Sequence, residues 1–175
     1  MMNNTLFIGL MILLIGIFTV IPEVMFAQSK GGRWQFENNS DDTADWDQVN
    51  NDGSISGNAF YGNESPLIEG NYYLSIADTN QYSFFYVPDN YELDFSNEDV
   101  AISAWIYPVT IDEPTQFIVI KGDREANPKT NNYALRLQGD HLNFIVVDNT
   151  GQAHFVLSSF VIPTNQWTFV ASFYD

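Results

Sequence analysis

No window of useful length in this 175-residue chain carries apolar residues at helical spacing, whereas short alternating segments recur along most of it. That pattern constrains the fold more than any other feature, because period-two alternation buries one face of a strand and leaves the other outside. "DVAISAWIYPV" (Asp99 to Val109) places Ile102, Ala104 and Ile106 opposite Ser103, Trp105 and Tyr107. "NQWTFVASFYD" (Asn165 to Asp175) alternates Trp167, Phe169, Ala171 and Phe173 with Thr168, Val170, Ser172 and Tyr174, so one set faces a core. Trp34, Trp105 and Trp167, each inside an alternating segment, are expected in the core.

The segments between are spaced like strands. "RWQFE" reads as a short first strand with Trp34 and Phe36 on one face. A long polar stretch, Asn38 to Gly62, follows, with one weak strand near "SISGNAF". "NYYLSIA" and "YSFFYV" come next, then the turn "VPDN", where Pro88 and Asn90 supply the turn chemistry. "QFIVIKG" is continuously apolar and suits a central strand. "YALRLQ" and "HLNFIVVD" flank "GD", a short hairpin signal. "DNTG" turns the chain into "QAHFVLSSFVI". Roughly ten short strands at regular spacing predict an all-β chain, a β-sandwich or jelly roll. With 45% hydrophobic and 15% aromatic residues the chain can fill such a core.

The formal charge is −16, from 22 acidic and 6 basic side chains, and no Lys, Arg or His occurs from Trp34 to Ile120. Phosphate backbones and anionic headgroups require cations, so the balance argues against nucleic acid and membrane surfaces as partners. Neutral sugars, divalent cations and basic proteins stay open. Cysteine is absent, which removes disulfides, zinc–thiolate sites and a cysteine nucleophile. At the N-terminus, Leu6 to Ile21 is uncharged but short for a membrane span, and Ala27 in "MFAQS" is a plausible cleavage point. Residues 1–27 read as a secretory signal, with an uncleaved anchor as the alternative. Residues 28–32 read as a linker and 33–175 as the domain, expected outside the cell.

The order "LDFSNEDVAISAWIYPV", "FIVIKGD", "NYALRL" and "NQWTFVASFYD" resembles the laminin G-like domain of the concanavalin A-like jelly-roll superfamily, over Trp34 to Asp175. The resemblance implies a jelly-roll sandwich used for binding or adhesion within a larger extracellular protein, with a glycan or a surface protein as partner. It allows calcium as a structural ion. In the family, further strands follow the one matched by "FVASFYD". The resemblance therefore implies a domain incomplete at its C-terminus, with an open strand edge prone to aggregation.

Candidate chemistry is sparse, and no catalytic residue is expected. "ELDFSNE" offers Glu92 and Asp94 in the order used by some glycoside hydrolases on a jelly roll. Its last carboxylate, Glu98, lies about 20 Å further along a strand, too far for the spacing of about 5 Å that retaining hydrolysis needs. The acidic stretch "NNSDDTADWDQVNNDG" has the composition of a calcium loop, with Asp45, Asp47 and Asp52 as candidate ligands, or of a solvated acidic loop. Asp123, Asp148 and Asp175 lie at strand ends. His141 and His154 are expected as satisfied edge or surface residues. Lys121, Arg124 and Lys129 gather in "KGDREANPKTN", expected to be a solvated loop. Trp46, Tyr61, Tyr72 and Tyr91 could stack on sugar rings if exposed, and Asn38 and Asn63 begin glycosylation sequons. A hydrolase on the same fold and a structural spacer are the rival readings.

Overall fold

The computed structural model describes residues 30–44, 49–64, 70–76, 83–94, 99–111, 113–122 and 132–175. These contain ten antiparallel strands and one turn of 3-10 helix. No helix among the described residues is long and apolar enough to cross a membrane. The chain divides into two compact units, one of residues 1–64 and 71–88, the other of residues 65–70 and 89–175.

The N-terminal unit is built from three-residue strands: β1 (Ser54–Ser56), β2 (Phe60–Gly62), β3 (Tyr73–Ser75) and β4 (Phe84–Tyr86). β1 pairs with β4 and β2 with β3. The single strand expected near "SISGNAF" is therefore two, parted at Gly57, whose φ of 68° lies in the left-handed region. "RWQFE" is not a strand. Trp34 makes one isolated bridge to Asp42, and Phe36 turns the chain with a φ of 58°. Both rings still share a partner: Trp34 and Phe36 meet Phe85 edge-on, at 6.0 and 5.0 Å between centroids. Phe85 also lies against Gly53, where a Cβ would fall 2.2 Å from its ring.

The C-terminal unit packs two layers. One is the pair β5 (Val100–Ile106) and β10 (Thr168–Tyr174), in register over seven residues from Thr168↔Ile106 to Tyr174↔Val100. The other is a four-stranded sheet, β6 (Thr115–Lys121), β7 (Tyr133–Gln138), β8 (His141–Val147) and β9 (Ala153–Val161), in that order. Leu135, Leu137, Phe144, Val146, Ile162 and Val170 are buried between them, and Val100, Ile102, Ala104, Ile106 and Tyr174 pack on this cluster. "QFIVIKG" thus forms an outer strand of the sheet, paired among the described residues only with β7. Its apolar run reflects a bulge between Phe117 and Val119, which turns Ile118 and Val119 together onto the core.

The hairpin at Gly139–Asp140 forms as read from sequence. Gly139 has a φ of 58°, as the first central residue of a type II′ turn requires, and Gln138 pairs with His141. At the β8–β9 bulge, Ser158 Oγ accepts from Leu142 N at 3.1 Å and donates to Phe160 O, repairing the interrupted ladder.

In the aromatic strands the inner set of β10, left open by the sequence, is fixed, and the expectation that Trp105 is in the core is corrected. In β10 the residue against the core is Val170, 4% exposed, while Phe169 and Phe173 on the alternate face are more than half exposed. Trp105 is likewise outside, beside Phe169 at 5.3 Å between centroids, because Ile102, Ala104 and Ile106 take the inner face of β5.

Candidate functional site

The core takes alternate residues of the four-stranded sheet, and the remaining set forms its second face. Register places Phe117, Arg136, Asn143 and Leu157 in one row across all four strands. The neighbouring row is Ile120, Ala134, Ile145 and Phe155, and Gln138 stands opposite His141 beyond. The Arg136 guanidinium lies over the Phe117 ring, 5.9 Å from its centroid. Its Nε donates to Asn143 Oδ1 at 2.8 Å, and Asn143 Nδ2 donates to Val156 O at 3.1 Å. Asn143 is 2% exposed, and with its oxygen accepting and its amide donating its orientation is fixed. The asparagine thereby holds the plane of the arginine, whose fork of N–H groups is suited to paired oxygens.

At the middle of this face Ala134 and Asn143 are buried, 1% and 2% exposed, and the face opens on its β9 side, where Phe155 is 76% and Leu157 about half exposed. A planar cation over one ring, an amide behind it and a second ring two strands away can receive a neutral polyhydroxyl surface. Its hydroxyls meet the fork and its C–H faces meet the rings. Neither Arg136 nor Asn143 stood out in the sequence as a site residue. A signal was present: the "GD" turn pairs residues whose numbers sum to that of Gln138 and His141, so one charged and one amide side chain in apolar strands fall opposite each other.

The described carboxylates of "ELDFSNE" lie in a 3-10 turn and an ion pair. Glu92 lies in the 3-10 turn Tyr91–Leu93, capped by Asn90, whose side chain accepts from Glu92 N. Asp94 follows it and pairs with Lys121 Nζ at 3.2 Å. Lys121, at the end of β6, also bonds Asp89. That bond holds the Asp89 carboxyl below its ordinary range, chiefly through the hydrogen bond from Lys121. Burial pushes Lys121 down, but its bonds to Asp89 and Asp94 outweigh burial and hold it above its ordinary value. Burial raises the neighbouring Tyr133. One Glu92 oxygen, Oε2, is buried without a hydrogen bond, while Oε1 accepts from Tyr91 Oη at 3.2 Å. Glu98, Arg124, Lys129 and Asp123 lie outside the described residues.

The acidic loop is stitched by its own carboxylates. Asp42 Oδ1 accepts from Arg33 N and Ala44 N, and its Oδ2 from Asn51 N. Asp52 accepts from Asp42 N and from Asn50 Nδ2, at 2.8 Å each. Asn51 is 2% exposed, donates to Gly31 O, and has an unpaired Oδ1. Of the three expected calcium ligands, Asp52 thus holds backbone, and Asp45 and Asp47 lie outside the described residues. Among the described residues no three carboxylates or imidazoles are placed together to hold a metal ion.

His154 Nε2 sits 2.9 Å from Asp148 Oδ2, and its ring lies 5.7 Å from that of Tyr174. Asp148 Oδ1 accepts from Thr150 N, Thr150 Oγ1 and Gln152 N, closing the "DNTG" turn. The Thr150 hydroxyl first, then His154, hold this carboxyl far below the usual range. Of the aromatic candidates, Tyr91 is two-thirds exposed, Tyr61 bonds Ser40 through its hydroxyl, Tyr72 is half-buried, and Trp46 lies outside the described residues.

A family model described as the concanavalin A-like lectin/glucanases superfamily, within the laminin G group, matches residues 69–175. The chain belongs to that superfamily. The match takes in both layers of the C-terminal unit, including Arg136 and Asn143, and begins after Trp34, where the sequence resemblance began. No curated protein and no solved structure matches the chain. Concanavalin A-like domains of this kind are in general carbohydrate- or protein-binding modules.

Proposed function

We propose that this concanavalin A-like domain is a secreted, non-catalytic binding module that receives a neutral glycan on the outer face of its four-stranded sheet. The observation that carries the reading is the Arg136–Asn143 pair, fixed against Phe117 with Phe155 exposed on the next row. A net charge of −16 favours a neutral ligand over an anionic one. The non-catalytic reading is supported by Glu92 and Asp94, which sit in a 3-10 turn and beside Lys121. The N-terminal apolar segment supports secretion.

Affinity electrophoresis through gels containing neutral polysaccharides tests the reading. Retardation by at least one polysaccharide is expected, reduced by Phe155→Ala and abolished by Arg136→Ala. Retention by none, together with capture on an immobilised extracellular protein, would replace the glycan with a protein partner. Glycan cleavage lost in Glu92→Gln would restore the hydrolase reading.

A further inference from the structure

Resting on the glycan reading above, we infer that the outer face takes an oligosaccharide of at least two sugars, laid along the β7–β8 hairpin, with Gln138 and His141 holding the second sugar. Register repeats one pattern twice on this face. The first row runs Phe117, Arg136, Asn143 and Leu157 across the four strands. The row beside it, toward the hairpin turn, runs Thr115, Gln138, His141 and Val161. In both rows β7 and β8 present side chains that hydrogen-bond, and β9 presents an aliphatic one, with Leu157 and Val161 about half exposed. The β9 bulge carries the chain from Leu157 to Val161 between the rows. On β7 and β8 corresponding residues are two positions apart, so the rows lie about 7 Å apart.

Side-chain chemistry sets the direction in which the ligand extends. On the other side of the Arg136 row stand Ile120, Ala134, Ile145 and Phe155, none of which can bond a hydroxyl. Toward the hairpin turn, Gln138 is exposed at the end of β7, and its amide can both donate and accept. The His141 side chain is 33% exposed, and Asp140 Oδ1, 3.3 Å from its Nε2, restrains the ring. A sugar centred on the Arg136 row leaves the Gln138 row uncovered. A second sugar joined to it covers that row, its hydroxyls meeting Gln138 and His141 and its C–H face meeting Val161. The first sugar meets Arg136 and Leu157 in the same way.

Calorimetric titration tests this with the monosaccharide and disaccharide fractions from partial hydrolysis of a neutral polysaccharide that retards the protein. The disaccharide is expected to bind about tenfold more tightly than the monosaccharide, as one or two added hydrogen bonds allow. Gln138→Ala, at an exposed position, should bring the disaccharide down to the affinity of the monosaccharide with an unchanged far-ultraviolet spectrum. Ile120→Ser, on the row at the other side, should leave the difference between the two sugars intact. A disaccharide that binds no better than the monosaccharide overturns the inference and leaves the glycan reading standing. So does a gain that survives Gln138→Ala or is lost in Ile120→Ser. A protein that no neutral polysaccharide retards overturns both.

Discussion

The two units are both antiparallel and both rich in aromatics, yet different forces hold them. In the C-terminal unit, strands of six to nine residues run in long register and bury six aliphatic and aromatic side chains in one cluster. In the N-terminal unit the strands are three residues long, and the only buried apolar residue is Ala59 among those described. Its order comes from side chains bonded to backbone: Asp42 to three amides, Asp52 to Asp42 N, Glu37 to Asn71 N, and the Trp34 indole to Asn51 O. A polar loop can therefore be as specifically shaped as a strand. It does so with hydrogen bonds of about 1 kcal/mol each rather than with burial.

The comparison breaks most sharply if core truncation fails to hurt. Leu135→Ala and Phe144→Ala, at 0% and 3% exposure, should each cost about 3–5 kcal/mol in urea unfolding. A loss below about 1 kcal/mol would mean the C-terminal layers are not the cooperative core. Asp42→Ala should cost about 1–3 kcal/mol, because three amides, two of them part-buried, lose their acceptor. The loss should be equal in EDTA and in millimolar calcium; a loss seen only in calcium would turn the loop into a metal site. Trp34→Phe keeps the ring contact and removes one bond to Asn51 O, so about 1 kcal/mol is expected from the melting shift.

Titration sharpens the contrast within the C-terminal unit. Asp148 has a lowered pKa, so its contribution is present above the unfolded value near 4 and fades as pH falls below it. Lys121 and Tyr133 are raised, so theirs is full below about pH 10 and is lost as pH rises through the folded values. The melting temperature should fall at both ends. Asp148→Asn should flatten the acid limb, and Lys121→Met should soften the alkaline one. An acid limb unchanged in Asp148→Asn would remove the turn carboxylate from the account.

Much of this architecture was legible from alternation alone. The β5, β7, β8, β9 and β10 segments and the Gly139 hairpin appear where period two and the "GD" dipeptide place them. Alternation does not say which set faces inward when both are apolar. Val170 won over Phe169 and Phe173 because β10 is in register with β5, whose Ile102, Ala104 and Ile106 already define the inner face. "RWQFE" carried a strand pattern that Phe36 breaks, since Phe85 gathers both rings around a turn instead. Arg136 and Asn143 become visible only when the hairpin register is applied. One residue in an apolar strand looks incidental until its cross-strand partner is known.

The most direct measurement is calorimetric titration of a neutral oligosaccharide, taken from a polysaccharide that retards the protein, into wild type and Arg136→Ala. Saturable binding to wild type is expected, with at least about a tenfold weaker association constant in the variant, a change of about 1.4 kcal/mol; the variant should keep its far-ultraviolet spectrum at the titration temperature while melting lower, because Asn143 Oδ1 loses its donor. Equal binding by the two proteins would contradict this and move the ligand away from the four-stranded sheet.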